Sequence, residues 1–148
     1  MSVDKKGLSV SDRVDISDAL ARCARAHDTR NTKVYADVFA ADATLDLGEH
    51  GVVNGISDIT EFFDGSLVGY DYVQHRLSTS VIVCSKDGAF AETYFSSRHV
   101  RRAAVGGDTL VLGGTYFDEF VKNDDGWRIR KRVVKVEWSD GNSSVAEL

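Results

Sequence analysis

Proline is absent from this sequence, cysteine occurs only twice and methionine once, and no long apolar run interrupts it. Each scarcity removes a class of protein. Two cysteines, Cys23 and Cys84, make neither a disulfide framework nor a metal-ligand set, and both read as reduced, packed thiols. Nowhere do enough apolar residues follow one another to span a bilayer, so no membrane partner is expected. Met1 to Gly7 is polar and no apolar segment follows it, so no secretory signal is read and a cytoplasmic location is expected. Basic excess is missing too: the net charge is −5 with the acids scattered, which leaves no field to gather nucleic acid. The exception, Arg128 to Lys135 (RIRKRVVK), suits a solvated strand face or one with a single arginine turned inward. No G-x-S-x-G, glycine-rich phosphate loop, H-E-x-x-H or paired metal-ligand spacing occurs, so neither cofactor nor metal is expected.

What remains is an ordinary globular composition in 148 residues, enough for one domain over 1–148 that buries about two-thirds of its unfolded surface. Residues 1–8 and 139–148 are polar and expected to be loose. Ser9 or Ser11 can cap a first helix running to about Asp28, with Asp12 in its opening turn. Ile16, Leu20, Cys23, Ala24 and His27 mark one face of it, and Asp28 falls on the edge of that face. Thr32 can cap a short second helix with Val34, Tyr35, Val38 and Phe39 on its apolar side. Asp42 to Leu47 alternates like a strand, and a third helix is expected over Ile56 to Phe63.

From Tyr72 the period becomes two. Turn signals at 86–88, 106–108 and 123–126 divide the rest into four long strands, Val73 to Cys84, Ala89 to Arg102, Thr109 to Lys122 and Trp127 to Trp138. Antiparallel strands of this length twist and curl, and three amphipathic helices are available to fill the hollow. The expected fold is α+β: a cone-shaped half-barrel of strongly curved, mixed but mainly antiparallel sheet closed by three N-terminal helices, with a pocket inside. Gly113-Gly114 suits a bulge where the sheet bends.

Strand parity turns particular side chains into that pocket. His75 shares a face with Leu77, Thr79, Val81 and Val83; His99 follows Ala91, Thr93, Phe95 and Ser97; Arg132 follows Val134, Val136 and Trp138. Trp127 and Ile129 lie on the opposite parity of the last strand, and a bulge near Arg130 would reconcile the two halves. Without it they would face water, which favours a homo-oligomer, dimer or trimer. Read singly, Asp28 serves equally well as a helix-end cap, His75 as a core histidine, His99 as a solvent-facing strand end and Arg132 as a surface arginine. Read together, Asp28 orients His75, which abstracts a proton; Arg132 steadies the anion that develops, and His99 protonates a leaving hydroxyl. Tyr35, Phe62, Phe63, Val81, Tyr116, Val136 and Trp138 are expected to line the apolar substrate pocket.

The stretches RVDISDALARCARAHDTRN, VFAADATLDLG, NGISDITEFF, VQHRLS and GGTYFDEFVKNDDGWRIRKRVVKVEW resemble, from about Ser11 to Trp138, the SnoaL-like branch of the nuclear transport factor 2 superfamily. Within it the pattern is similar to the Asp-His lyases: scytalone dehydratase, γ-hexachlorocyclohexane dehydrochlorinase and the bile-acid 7α-dehydratase. The resemblance places a catalytic aspartate on Asp28, a histidine on His75, an arginine on Arg132 and a second histidine on His99. The chain departs from those enzymes at Cys23, His27, Leu47, Gly114 and Tyr116. The resemblance implies a lyase of dehydratase type, or an isomerase, acting without a cofactor on a small, mostly apolar carbonyl or alcohol compound. A SnoaL-type polyketide cyclase, a non-catalytic ligand-binding cone and a dioxygenase β-type subunit share the pattern.

Overall fold

A computed structural model describes residues 7–147; the leader expected over residues 1–8 lies outside them except for Gly7 and Leu8. Helix α1 spans Val10–Thr29. Ser9 caps it with a capping box, in which its hydroxyl accepts from the Asp12 backbone N–H and Asp12 accepts from the Ser9 N–H, both at 3.0 Å. Asp12 also accepts from Trp127 Nε1 at 3.0 Å and Lys122 Nζ at 3.1 Å, which fastens the helix start to the last hairpin. Burial recurs at Ile16, Leu20, Cys23 and His27, one side of the helix. The helix stops where Arg30 turns left-handed, with φ 55°, and donates its N–H to the His27 carbonyl. Arg30 Nη2 then donates to Tyr70 O at 2.7 Å, holding the end of α1 beside the chain that enters the sheet.

A single 3-10 turn, Thr32–Val34, leads into α2, Tyr35–Val38, and the chain extends at once into strand β1, Phe39–Asp46, so Phe39 opens a strand instead of completing a helix face. Strand β2 is Val52–Asn54, and helix α3 is Ile56–Ser66, one turn longer than the pattern predicts. The remaining strands are β3, Tyr72–Leu77; β4, Val81–Cys84; β5, Gly88–Val100; β6, Thr109–Asn123; and β7, Gly126–Gly141. They form one sheet in the order β2-β1-β7-β6-β5-β3, with β4 beside β3 on the same edge of β5. Every pairing is antiparallel except β1 with β7. This is the α+β cone: three helices against a curved, unclosed, mixed sheet. Ile16, Leu20, Tyr35, Val38, Phe39, Ile59 and Ile129 fill the helix–sheet interface, almost wholly buried. No described helix is long and apolar enough to cross a membrane.

Three register breaks decide which side chains face inward. On β7 one extra residue, Arg130, stands between the pairs Glu119↔Lys131 and Phe120↔Ile129. Trp127 and Ile129 therefore turn under α1 and are buried, while Arg132, Val134 and Val136 turn toward the hollow. Their burial removes the argument for self-association drawn from them. A second extra residue, Glu137, lies opposite Gly113-Gly114, where a bulge is predicted. It flips the following residue, so Trp138 leaves the inward parity and lies across Gly113 on the outer face, half exposed. The third break splits the predicted first long strand. Residues 78–80 oppose only residues 93–94, and the phase slips by one. Ile82 then packs against the core, and Val81 and Val83 point to solvent.

Two further expectations are corrected. Cys84 is exposed, whereas Cys23 is buried. The segment after Ser139 is ordered as far as it is described: β7 continues to Gly141, and a 3-10 turn at Ser143–Ala146 buries Val145 completely. Arg101 holds that turn by donating Nε to Val145 O at 3.1 Å and Nη2 to the Ser144 and Glu147 carbonyls. Four aromatic side chains, Phe90, Tyr94, Phe117 and Trp138, stand exposed on the convex face.

Candidate active site

The last turn of α1 and strand β3 meet through one carboxylate. Asp28 Oδ1 accepts from His75 Nδ1 at 2.8 Å, and its two oxygens accept from the His75 backbone N–H at 2.9 and 3.0 Å. Side chain and main chain of the histidine are thus fixed by the same group. With Nδ1–H given to Asp28, the Nε2 lone pair is left free, and it makes no hydrogen bond among the described residues. Both side chains are nearly buried, at 12% and 11% exposed, with Asp28 behind the ring and His75 on the wall of a cavity.

Two more histidines surround that ring. His99, on β5, lies 6.3 Å away between centroids and nearly perpendicular, with Tyr70 against it at 4.9 Å. Burial first, and then the proximity of His75, push its pKa down. Its Nδ1 is buried without a hydrogen-bond partner among the described residues. His27, on α1 one residue before Asp28, stacks obliquely on His75 at 5.0 Å. Burial, reinforced by His75 and Arg132, holds its pKa well below the usual imidazole range, so it is neutral at pH 7. Tyr35 is fully buried, and burial pushes its hydroxyl up, so it keeps its proton, and it shares a hydrogen bond with His27 Nδ1 at 2.6 Å. The other nitrogen of His27, Nε2, meets Cys23 Sγ at 3.6 Å.

Arg132 faces inward but is not a free cation. Its Nε donates to Asp118 Oδ1 at 2.7 Å and its Nη2 to Asp118 Oδ2 at 3.0 Å. Nη1 reaches Cys23 Sγ at 3.7 Å, and the Tyr116 ring covers the guanidinium face at 4.1 Å. The two side chains are 3% and 0% exposed. Burial opposes the guanidinium charge, and Asp118 more than restores it, leaving the pKa of Arg132 raised. Burial likewise pushes the Asp118 carboxyl up, with Arg132 pulling against it.

The cavity holds about 230 Å³. Phe62, Phe63, Leu47, Leu112, Val134 and Val136 supply its apolar wall, and His27, His75, His99, Ser97 and Arg132 its polar points. Of the predicted residues, His75, His99, Arg132, Phe62, Phe63, Tyr116 and Val136 line it, with Asp28 behind His75. Three do not. Tyr35 is buried behind His27, Val81 is exposed on β4 past the register slip, and Trp138 is outside past the second bulge. A wider groove of about 550 Å³ runs along the convex side with Arg76, Tyr94, Glu137 and Trp138, but it is open and brings no histidine or buried carboxylate together. Asp118 and the neutral His27 were the residues that motif reasoning passed over. The alternation Tyr116, Asp118, Phe120 carries the signal for the first, since it places an acid on the inward parity. Among the described residues no three His, Cys, Asp or Glu side chains converge to hold a metal ion.

Residues 9–133 match the SnoaL-like domain. The chain belongs to the SnoaL-like family. It is 28% identical over 142 residues to the terrestric acid biosynthesis cluster protein E of Penicillium crustosum, covering 93% of this chain and 90% of that one. An uncharacterized protein of Mycobacterium tuberculosis is 30% identical over 138 residues, covering 88% and 91%. Among solved structures, Kfla4162 from Kribbella flavida is 21% identical with a TM-score of 0.86, covering 93% and 98%. A proposed aromatic ring hydroxylase from Novosphingobium aromaticivorans is 25% identical with a TM-score of 0.80, covering 94% and 99%. A proposed scytalone dehydratase from the same organism is 18% identical with a TM-score of 0.78, covering 88% and 87%. The fold is shared with a nuclear transport factor 2-like superfamily protein from Salmonella enterica, 19% identical with a TM-score of 0.77.

Proposed function

We propose that this SnoaL-like protein is a cofactor-independent lyase of dehydratase type, or an isomerase, acting on a small, mostly apolar carbonyl or alcohol compound. The observation that carries the reading is the His75 ring held by Asp28 at 2.8 Å with its free nitrogen on an apolar-walled cavity. In the elimination, His75 Nε2 takes the proton from the carbon beside a carbonyl, and the C–H electron pair becomes the enolate. Asp28 stabilises the imidazolium. The enolate collapses to a C=C bond as the C–O bond at the next carbon breaks; neutral His99 donates a hydrogen bond to the departing hydroxyl, and the His75 imidazolium returns the proton it took, so that water leaves. Stopped at the enolate, with the proton returned elsewhere, the same base gives an isomerase. A base placed in this way contributes a factor of about 10² to 10⁴ in rate. The likeness to a biosynthesis-cluster protein supports a small-molecule substrate.

The test uses 1-indanone and 3-hydroxy-1-indanone as probes. In deuterated buffer the protein is expected to speed loss of the proton beside the carbonyl, followed by proton NMR, and to form the unsaturated ketone from the hydroxy compound. Asp28→Asn and His75→Ala are expected to reduce both rates at least a hundredfold. Wild-type rates in His75→Ala would remove the proposed base. A second reading, as a subunit of an aromatic-ring-oxidising assembly, is favoured by the Novosphingobium likeness. A stable complex with a larger oxidising protein, together with no proton exchange, would select it.

A further inference from the structure

The cavity is electrically unusual for one that contains an arginine. Arg132 is the cationic side chain on its wall, and both oxygens of Asp118 already engage it. The guanidinium has five N–H bonds. Nε and one hydrogen of Nη2 go to Asp118, Nη1 is directed at Cys23, and the flat face is shielded by Tyr116. The side-on fork of Nε and Nη2 is filled, and the hydrogens left over belong to a guanidinium whose charge Asp118 already cancels. The other groups on or behind the wall add no positive charge. His27 and His99 are held neutral by burial and by their neighbours, and Tyr116 keeps its proton because burial raises its pKa. Asp28 stands behind His75 with no arginine or lysine bonded to it. The Arg132–Asp118 pair sums to zero, so the carboxylate of Asp28 leaves the site negative.

From this geometry we infer that Asp118 is a specificity-determining residue: by occupying Arg132 it makes the cavity a site for uncharged substrates and closes it to carboxylates. This rests on the lyase reading for the identity of the pocket but not on any step of that reaction. An anion entering the cavity would give up its water, find the arginine's charge already cancelled by Asp118, and meet Asp28 across the histidine. A neutral ketone meets none of these penalties. Its oxygen needs one donor, which the unshared hydrogens of Arg132 can supply, and the pair can still polarise that oxygen. The volume suits the same class. At about 230 Å³ the space takes a one- or two-ring compound, not a carrier-linked or polyphosphate substrate.

Acetophenone and benzoate test this because they have the same number of heavy atoms and nearly the same outline, differing in charge. Binding of each to the whole protein is read at pH 7 by ligand-detected NMR titration. Wild type is expected to bind acetophenone at least tenfold more tightly. Equal binding, a preference for benzoate, or binding of neither overturns the inference. Asp118→Asn keeps the shape but leaves the guanidinium charge uncancelled, and is expected to raise benzoate binding relative to acetophenone about tenfold; an unchanged ratio removes Asp118 from the role. Cys23→Ala, which releases Nη1 without unpairing a buried charge, is expected to move the ratio the same way by a few-fold and serves if Asp118→Asn does not fold. His75→Ala is expected to keep the wild-type ratio. A lost proton-exchange activity with an intact charge preference therefore counts against the base alone, and the reverse counts against Asp118 alone.

Discussion

Removing one partner of the Arg132–Asp118 pair is expected to be the most damaging single change in the sheet. Asp118 is wholly buried and Arg132 nearly so, and the carboxylate accepts two hydrogen bonds from the guanidinium and none from other described residues. Asp118→Ala leaves a full positive charge on a side chain only 3% exposed, held by a sulfur at 3.7 Å and an aromatic face at 4.1 Å. Breaking such a buried pair costs roughly 3–5 kcal/mol. For a protein of about this size each kcal/mol moves the melting point by about 2–4 °C, so a fall of roughly 6–20 °C is expected. Replacing both partners, as Asp118→Leu with Arg132→Met, removes the charges together, and stability is expected to return to within about 2 kcal/mol of wild type. Urea unfolding of the three proteins measures both numbers. A loss below about 1 kcal/mol for Asp118→Ala would refute the reasoning, because it would mean that water solvates the unpaired arginine and that the pair is not sealed from it. The same refutation would weaken the inference about charged substrates, which depends on that sealing.

Acid is expected to act through the neutral histidines. His27 has its pKa lowered in the folded state, so the unfolded chain binds more protons and stability rises with pH through this range. Its contribution is complete above the unfolded value near pH 6.5 and is lost below it, by about 1.4 kcal/mol per pH unit. The melting point should therefore fall from pH 6.5 to 5, and His27→Gln should flatten that slope; an unchanged slope would move the effect to other groups. At the second bulge, a Cβ on Gly114 would lie 1.9 Å from the Lys135 carbonyl oxygen, a backbone atom that cannot swing aside. Gly114→Ala is expected to cost about 1–3 kcal/mol in urea unfolding, and a neutral result would mean that β7 shifts easily at Glu137.

How much of this was legible depended on whether a strand keeps its phase. Strand β5 carries Ala91, Thr93, Phe95, Ser97 and His99 inward without a break, so simple alternation placed every one of them. The β3–β4 segment hid its slip, because Thr79, Val81 and Val83 continue an apolar, β-branched alternation through the point where the register changes. Trp138 misled in the same way: it extends the parity of Arg132, Val134 and Val136, and no residue type announces that Glu137 is the extra one. The contact of Asp28 with His75 was readable because a carboxylate at the edge of a buried helix face needs a partner and an inward histidine was available. The ion pair was not read because the basic run drew attention to charge on the surface, while its counter-ion sits alone between Tyr116 and Phe120. The polarity of the tail predicts a loose segment; the complete burial of Val145 and the reach of Arg101 from another loop outweigh it.

The bulge at Arg130 shows why phase errors and site errors are the same thing in this protein. Strand β7 must serve two clients on one side of the sheet. Near its start Trp127 and Ile129 complete the core beneath α1; farther along, Arg132, Val134 and Val136 wall the cavity. The two sets lie on opposite parities of the sequence, and a regular strand could satisfy only one of them. An uninterrupted strand that buried Ile129 would send Arg132 to solvent, leave Asp118 buried without a cation and strip the apolar wall from the hollow. One that buried Arg132 would put an indole and an isoleucine in water. The single extra residue resolves the conflict, and its own side chain is free to face outward, where Arg130 pairs with Glu119 on the neighbouring strand. The apolar residues on both parities are thus the sequence signature of the bulge, and the bulge is what allows a stable core and a cavity with a paired arginine to share one strand.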